Sequence, residues 1–204
     1  MRPEFLTVYV VDDDASVRDS LALMLGLAGY RTAVFADAET FLDAWRDHWT
    51  GCVVTDLRLP GASGIELQAA LRERGSSLPI VVITAHGDVP SARSAFRAEA
   101  VDFLEKPFDD TQLRAAIDTA FALEERRLER EKTRRADLAK LERLTPRERE
   151  VLEYAARGLH AKEIGTTLGI SARTVEVHKT RIMEKLGVRN IAELVRFAVA
   201  ASKP

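Results

Sequence analysis

Short runs rich in Val, Ile and Thr alternate with amphipathic stretches over the first 120 or so residues. The runs fall at 7–11 (TVYVV), 32–35, 52–55 (CVVT), 80–84 (IVVIT) and 101–104. TVYVV, CVVT and IVVIT are almost continuously apolar, the pattern of strands covered on both faces in a parallel sheet. Helical periodicity occupies 16–27, 38–46, 65–74, 91–98 and 110–123 between and after them. Five βα units in succession predict a doubly wound α/β domain with a five-stranded parallel sheet. Such a sheet binds ligands beyond the carboxyl ends of its strands.

The pattern changes at Glu124. Ten of the twelve residues from 124 to 135 are charged, without Gly or Pro. Glu124/Arg127, Glu129/Lys132 and Glu131/Arg135 stand at helical i,i+3 or i,i+4 spacing. This predicts a solvated helix that prolongs the fifth helical segment through a linker at 124–143; a flexible charged linker is the alternative. From residue 144 onwards four short helices are signalled. Thr145-Pro146-Arg147-Glu148 has capping-box form with Pro at the first helical position, and Gly158 stops that helix. A second spans about 161–168 and breaks at Gly169. A third is capped by Ser171 and ends at Gly187, and a fourth is capped by Asn190. The expected division is thus 1–123, 124–143 and 144–204, an α/β domain followed by an all-α four-helix domain.

Composition narrows what these domains do. Across 204 residues, 30 Lys+Arg nearly balance 32 Asp+Glu. The balance hides a polarity: residues 1–123 hold 11 basic and 19 acidic side chains, whereas residues 145–204 hold 11 and 7. An acidic front suits a cation, and a basic back suits a polyanion such as DNA. No run approaches the ~18 apolar residues of a membrane span, and the first residues lack the apolar core of a signal peptide. With one cysteine, Cys52, a disulfide framework or Cys-rich zinc site is excluded. A cytoplasmic protein with no membrane partner is expected.

The reactive residues cluster at strand ends. Asp12, Asp13 and Asp14 follow the first strand, Asp56 the third, Thr84 ends the fourth, and Lys106-Pro107 follows the fifth. A parallel sheet brings these ends to one edge. Carboxylates crowded there repel unless a cation stands among them, and all-oxygen ligation favours Mg²⁺. A lysine and a hydroxyl on the same rim could hold phosphate oxygens, and a carboxylate beside the cation could act as nucleophile and form an acyl phosphate. Asp14 alone reads more readily as a helix cap.

In the third C-terminal helix, Val175, Ile182 and Leu186 form a core stripe. Arg173, Glu176, Val177, Thr180 and Glu184 share another face, flanked by Lys179 and Arg181. A helix of this kind, preceded by a short helix and a Gly turn, can read the major groove. The bets for phosphate or mixed contacts are Lys162, Arg173, Lys179 and Arg181; those for base readout are Glu176, Val177 and Thr180. Glu176 could instead only pair with Arg173. His178 lies near the core stripe and suits either a buried hydrogen-bonded role or a phosphate contact.

The segments VVDDD, VVTDLRLPGASG, VVITAHGD and FLEKPF resemble, in order and spacing over residues 5–123, the signatures of a response-regulator receiver domain. LTPREREVLEYAARG and KEIGTTLGISARTVEVHKTRIMEKLGV resemble the LuxR-type four-helix DNA-binding domain. Together they resemble the FixJ/NarL family, more closely its FixJ-type members. The resemblance implies a flavodoxin-like receiver with Asp56 as phosphoacceptor. Asp12, Asp13, Asp56 and the backbone carbonyl of Arg58 would ligate Mg²⁺ (or Mn²⁺), and Thr84 and Lys106 would bind phosphoryl oxygens. Phe103 would be the switch aromatic, working by ring packing since it lacks the hydroxyl of the Tyr found in many receivers. A cis Lys106–Pro107 bond is implied. The implied partners are a sensor histidine kinase, double-stranded DNA, RNA polymerase and a second copy of the chain on phosphorylation. The implied function is phosphorylation-dependent transcription regulation, without turnover of a metabolite. The expected dimer surface lies near Ala92, Ala95, Phe96 and Val101, with a second contact on DNA through Ile191, Leu194, Val195, Phe197 and Ala198. Ala161 and Gly165 depart from the Asn and Ala common in the family, and Gly165 should weaken its helix. Two rivals remain. The D-x-D-x-S form of residues 12–16 resembles haloacid-dehalogenase-type phosphatases, which need a later acidic pair where FLEKPF offers Glu105 alone. The other is a DNA-binding protein indifferent to phosphorylation.

Overall fold

The computed structural model describes residues 6–85, 93, 95, 97–190, 193–195 and 197. The chain divides into two compact units, Met1–Arg127 and Leu128–Pro204.

In the first unit, β1 (Thr7–Val11), β2 (Arg31–Phe35), β3 (Gly51–Asp56), β4 (Ile80–Thr84) and β5 (Asp102–Glu105) form one parallel sheet in the order β2-β1-β3-β4-β5. The helices are α1 (Ala15–Leu27), α2 (Ala38–Ala44), α3 (Gly64–Glu73) and α4, which begins at Asp110. Arg93, Ala95 and Arg97 are helical; the other residues of the expected 91–98 segment, except Ala98, lie outside the described residues. The fully buried β3 and β4 confirm strands covered on both faces. Tyr9, Val11, Val53 and Val82 pack with Phe41, Leu67 and Leu71 in one cluster. Alternation sends Val8, Val10, Cys52 and Val54 to the opposite face of the sheet. The sheet order reverses direction between β1 and β3, which makes the carboxyl ends of those two strands the switch point where ligands bind.

Helix α4 runs without a break from Asp110 to Glu142, so the charged segment is helical. One part of the expectation fails. Glu124 is fully buried and forms a two-pronged ion pair with Arg127, at 2.7 and 2.8 Å. A solvated face was expected because charge alone carries no signal of burial; the guanidinium makes that burial tolerable by meeting both carboxylate oxygens. The expected dimer surface also needs correction. Ala95 is fully buried in the core cluster and cannot serve as a contact; Ala92 and Phe96 lie outside the described residues.

The second unit contains α5 (Pro146–Ala156), α6 (Ala161–Leu168), α7 (Ala172–Leu186) and helical residues at 193–195 and 197. The capping box of Thr145 and Glu148 forms as the sequence predicts. Gly169 and Gly187 end α6 and α7 in the left-handed conformation, at φ 68° and 69°. The Glu193 N–H donates to the Asn190 side chain at 2.9 Å, consistent with the fourth cap. Val151, Leu152, Ile164, Val175, Ile182 and Leu186 form the core together with Leu194 and Phe197. Leu194 and Phe197 are therefore core residues rather than a free contact surface; Ile191 and Ala198 lie outside the described residues.

Glu148 does more than cap. It is buried, and Lys185 at the end of α7 reaches it at 2.6 Å. Burial alone would raise its carboxyl, but the Lys185 ammonium, the Thr145 N–H and the Thr145 hydroxyl hold it below the ordinary carboxylate range. Depression in the folded state means stability that is present above the unfolded carboxyl value, near 4.3, and is lost as pH falls through the folded value. Denaturant titration of the second unit should show this loss below about pH 4.3. Glu148→Gln should cost roughly 1–3 kcal/mol at neutral pH and flatten the acid limb. An unchanged acid limb in the variant would show that another carboxylate is responsible.

Candidate functional site

The carboxyl end of β1 splits its acidic triplet three ways. Asp12 turns inward and is 1% exposed. Asp13 is exposed to solvent. Asp14 caps α1, accepting from the Ser16 and Val17 N–H groups, which hold its carboxyl below the usual range. Arg18, one turn into α1, donates to the carbonyls of Asp12 and Asp13 at 2.7 and 2.9 Å and so fixes the loop. Sequence reading missed this arginine, because nothing in its spacing distinguishes it from a surface cation.

Asp56 ends β3 and is 8% exposed. Its Oδ1 accepts from the Arg58 N–H at 2.9 Å, while Asp12 Oδ1 accepts from the Asp14 N–H at the same distance. The remaining oxygens share one partner. Lys106 Nζ lies 2.8 Å from Asp12 Oδ2 and 2.6 Å from Asp56 Oδ2. The lysine directly follows β5, its backbone N–H donates to the Thr84 carbonyl at 2.7 Å, and the Lys106–Pro107 bond after it is cis. Burial would lower the lysine, but the hydrogen bonds and charges of Asp12 and Asp56 more than compensate, and the ammonium is held above its usual value. Thr84 is fully buried at the end of β4. Phe103 is half-buried against the core cluster.

Gly64, at the start of α3, is a second residue that sequence reading passed over. A Cβ there would lie 2.4 Å from the Asp56 carbonyl oxygen. Only glycine lets α3 begin so close behind the carboxylate. The signal was present in PGASG but did not show which glycine makes the approach.

The structure therefore brings Asp12, Asp56 and Lys106 into direct contact, with Thr84 on the neighbouring strand end. It does not bring Asp13 into the cluster: among the described residues no three acidic, His or Cys side chains group as a metal site. Two carboxylates are nonetheless oxygen donors of the kind Mg²⁺ takes, since that ion uses one or two carboxylates and keeps waters. Glu105, where a phosphatase would need an acidic pair, is exposed.

In the second unit α6, the Gly169 turn and α7 form a helix-turn-helix. Val175, Ile182 and Leu186 are buried, while Arg173, Glu176, Thr180 and Arg181 are exposed, as is Lys162 on α6. Val177 is 44% exposed, a large apolar side chain on the same face. Glu176 does not pair with Arg173 in the structure; it pairs with Lys179 at 3.0 Å. Lys179 lies low on the helix, its side chain 12% exposed against 61% for Glu176. The Thr180 hydroxyl donates to the Glu176 carbonyl at 3.1 Å. His178 is half-buried, and its Nδ1 has no hydrogen-bond partner among the described residues. The expected hydrogen bond is thus not made at that nitrogen. Gly165 faces the turn, where a Cβ would lie 2.6 Å from the Ile170 carbonyl oxygen. Its cost to the helix is offset by this close approach.

Residues 8–118 match the response regulator receiver domain, and residues 142–198 match the luxR family of bacterial regulatory proteins. The chain is 44% identical over 194 residues to the transcriptional regulatory protein FixJ of Bradyrhizobium diazoefficiens, covering 95% of each. It is 41% identical to the transcriptional regulatory protein TdiR of Thauera aromatica, over 96% of this chain and 86% of that one. Among solved structures, the response regulator StyR superposes with a TM-score of 0.80 at 44% identity, covering 95% of this chain and 98% of StyR. Full-length FixJ from B. japonicum gives 0.59 at 44% identity over 96% of both. On these grounds the chain belongs to the two-component response regulators that couple a receiver domain to a LuxR-type DNA-binding domain and regulate transcription.

Proposed function

We propose that Asp56 accepts a phosphoryl group from a sensor histidine kinase, and that this promotes receiver dimerisation and sequence-specific DNA binding. The observation that carries the reading is the Lys106 ammonium held between Asp12 and Asp56. An Asp56 oxygen attacks phosphorus, the bond from phosphorus to the donor breaks, and an acyl phosphate forms. Lys106 is then close enough to pair with a phosphoryl oxygen, and Thr84 on the adjacent strand end supplies a hydroxyl to another. Mg²⁺ (or Mn²⁺), when bound, supplies further positive charge against the phosphoryl oxygens; Asp12, Asp56, the Arg58 carbonyl and, from its exposed position, Asp13 would hold it. Phe103 would carry the change towards β5 by ring packing. The protein turns over no metabolite, and RNA polymerase is the machinery it would address at a promoter.

Mass spectrometry after treatment with acetyl phosphate and Mg²⁺ should find one added phosphate, and Asp56→Asn should abolish it. Phosphate at wild-type level on the variant sinks the assignment. The treated wild type should sediment as a dimer; a monomer before and after treatment argues against phosphorylation-driven assembly.

On the DNA side, Glu176, Val177 and Thr180 read bases, while Lys162, Arg173 and Arg181 contact phosphates. Lys179 acts first by orienting Glu176. Glu176→Ala should relax preference at one position of each half-site by roughly 1–3 kcal/mol. Binding selection from randomised duplexes measures this. If Glu176→Ala and Thr180→Ala both return the wild-type preference, α7 does not read bases in this way.

A further inference from the structure

The charged part of α4 sorts its cations in two. Arg127 pairs with Glu124, Lys132 with Glu129, Arg135 with Glu131 and Lys140 with Asp137. Arg126, Arg130 and Arg134 are exposed and have no ion pair or hydrogen bond among the described residues. These three recur at i, i+4 and i+8, so they share one face of the helix. Glu125 projects from a different face, by the 100° rotation per residue. Glu129 and Glu131 border the arginine face at i+3 to Arg126 and i−3 to Arg134, but each is engaged by another cation, Lys132 and Arg135. Asp137, which does lie near the arginine face, is engaged by Lys140.

Like charges one turn apart weaken a helix. Pairing the other four cations while leaving these three aligned is therefore a feature that folding alone does not favour. Leu123 and Leu138, both partly exposed, flank this face at i−3 of Arg126 and i+4 of Arg134, but between them it carries no large apolar side chain of the kind a protein partner's interface buries at its centre. What it offers is positive charge at a rise of about 6 Å per guanidinium, over about 12 Å. A DNA duplex presents roughly seven phosphates over that length.

We infer that Arg126, Arg130 and Arg134 form a second duplex-DNA contact, to backbone phosphates, in addition to that of the helix-turn-helix. The inference rests on the DNA-binding reading above. Once that domain engages a duplex, the tether raises the effective concentration of phosphate around this face. Being directed at phosphates, the contact adds affinity and salt dependence but no base preference.

The test is the salt dependence of full-chain binding to a random-sequence duplex. The triple variant Arg126→Gln, Arg130→Gln, Arg134→Gln keeps side chains of similar helix propensity, and circular dichroism checks that α4 persists. Its slope of log K against log salt should shrink by about 0.9 per lost contact, so by up to about 2.7. Arg114→Gln, an exposed arginine earlier in the same helix, should leave the slope unchanged. An unaltered slope in the triple variant overturns the inference while leaving the helix-turn-helix reading intact. An equal fall per charge in Arg114→Gln also overturns it, since net charge alone would then account for the effect. Failure of the unmodified chain to bind duplex DNA removes both readings. Loss of binding to phosphatidylserine vesicles with the DNA slope unchanged assigns the face to a membrane surface and overturns the DNA contact.

Discussion

Two carboxylates buried side by side repel each other, and at the centre of the receiver one ammonium resolves the conflict. At an effective dielectric near 20, unit charges 4 Å apart interact by about 4 kcal/mol. Asp12 and Asp56 each turn one oxygen to the same side of the switch point, where a cation is needed between them. Lys106 provides it, with one contact to each. The lysine follows β5 at the edge of the sheet, and its backbone N–H is tied to the Thr84 carbonyl at the end of β4. The other oxygens of the two aspartates are taken by backbone N–H groups at Asp14 and Arg58. The site is thus organised from the backbone outward, which is how a nucleophile can be held in one place.

Elsewhere the same economy recurs: a buried acid is held by one cation and made to organise an element. Glu124 is met on both oxygens by Arg127 within α4. Glu148 caps α5 and accepts Lys185 from the end of α7, tying the third helix of its domain to the first. Both acids look like ordinary surface charges in the sequence. Neither is one, because a paired carboxylate with its hydrogen bonds satisfied tolerates burial that an isolated one does not.

Glycines act at both candidate sites by letting backbone approach backbone. Gly64 brings the start of α3 against the Asp56 carbonyl, and Gly165 brings α6 against the turn that precedes α7. In a helix each gives up stability relative to alanine. The gain is in position: at one site the strand end that carries Asp56 is backed by a helix, and at the other α7 is set close to its supporting neighbour.

The βα alternation, the continuous Val/Ile runs and the placement of Asp12, Asp56, Thr84 and Lys106 after strands were enough to determine the fold class and the edge on which the chemistry gathers. Capping residues and glycines determined most helix ends to within a residue or two. These features are local, set by periodicities of 2 and 3.6 and by backbone preferences that neighbouring residues carry. What only the tertiary structure decided was which partner each charge takes. Asp13 faces solvent while Asp12 turns inward; Glu176 pairs with Lys179 rather than Arg173; Glu124 and Glu148 are buried; Ala95, Leu194 and Phe197 belong to cores rather than contact surfaces. Spacing along the chain offers several pairings of nearly equal merit. The choice among them depends on burial, and burial is fixed by elements that meet only after the chain has folded.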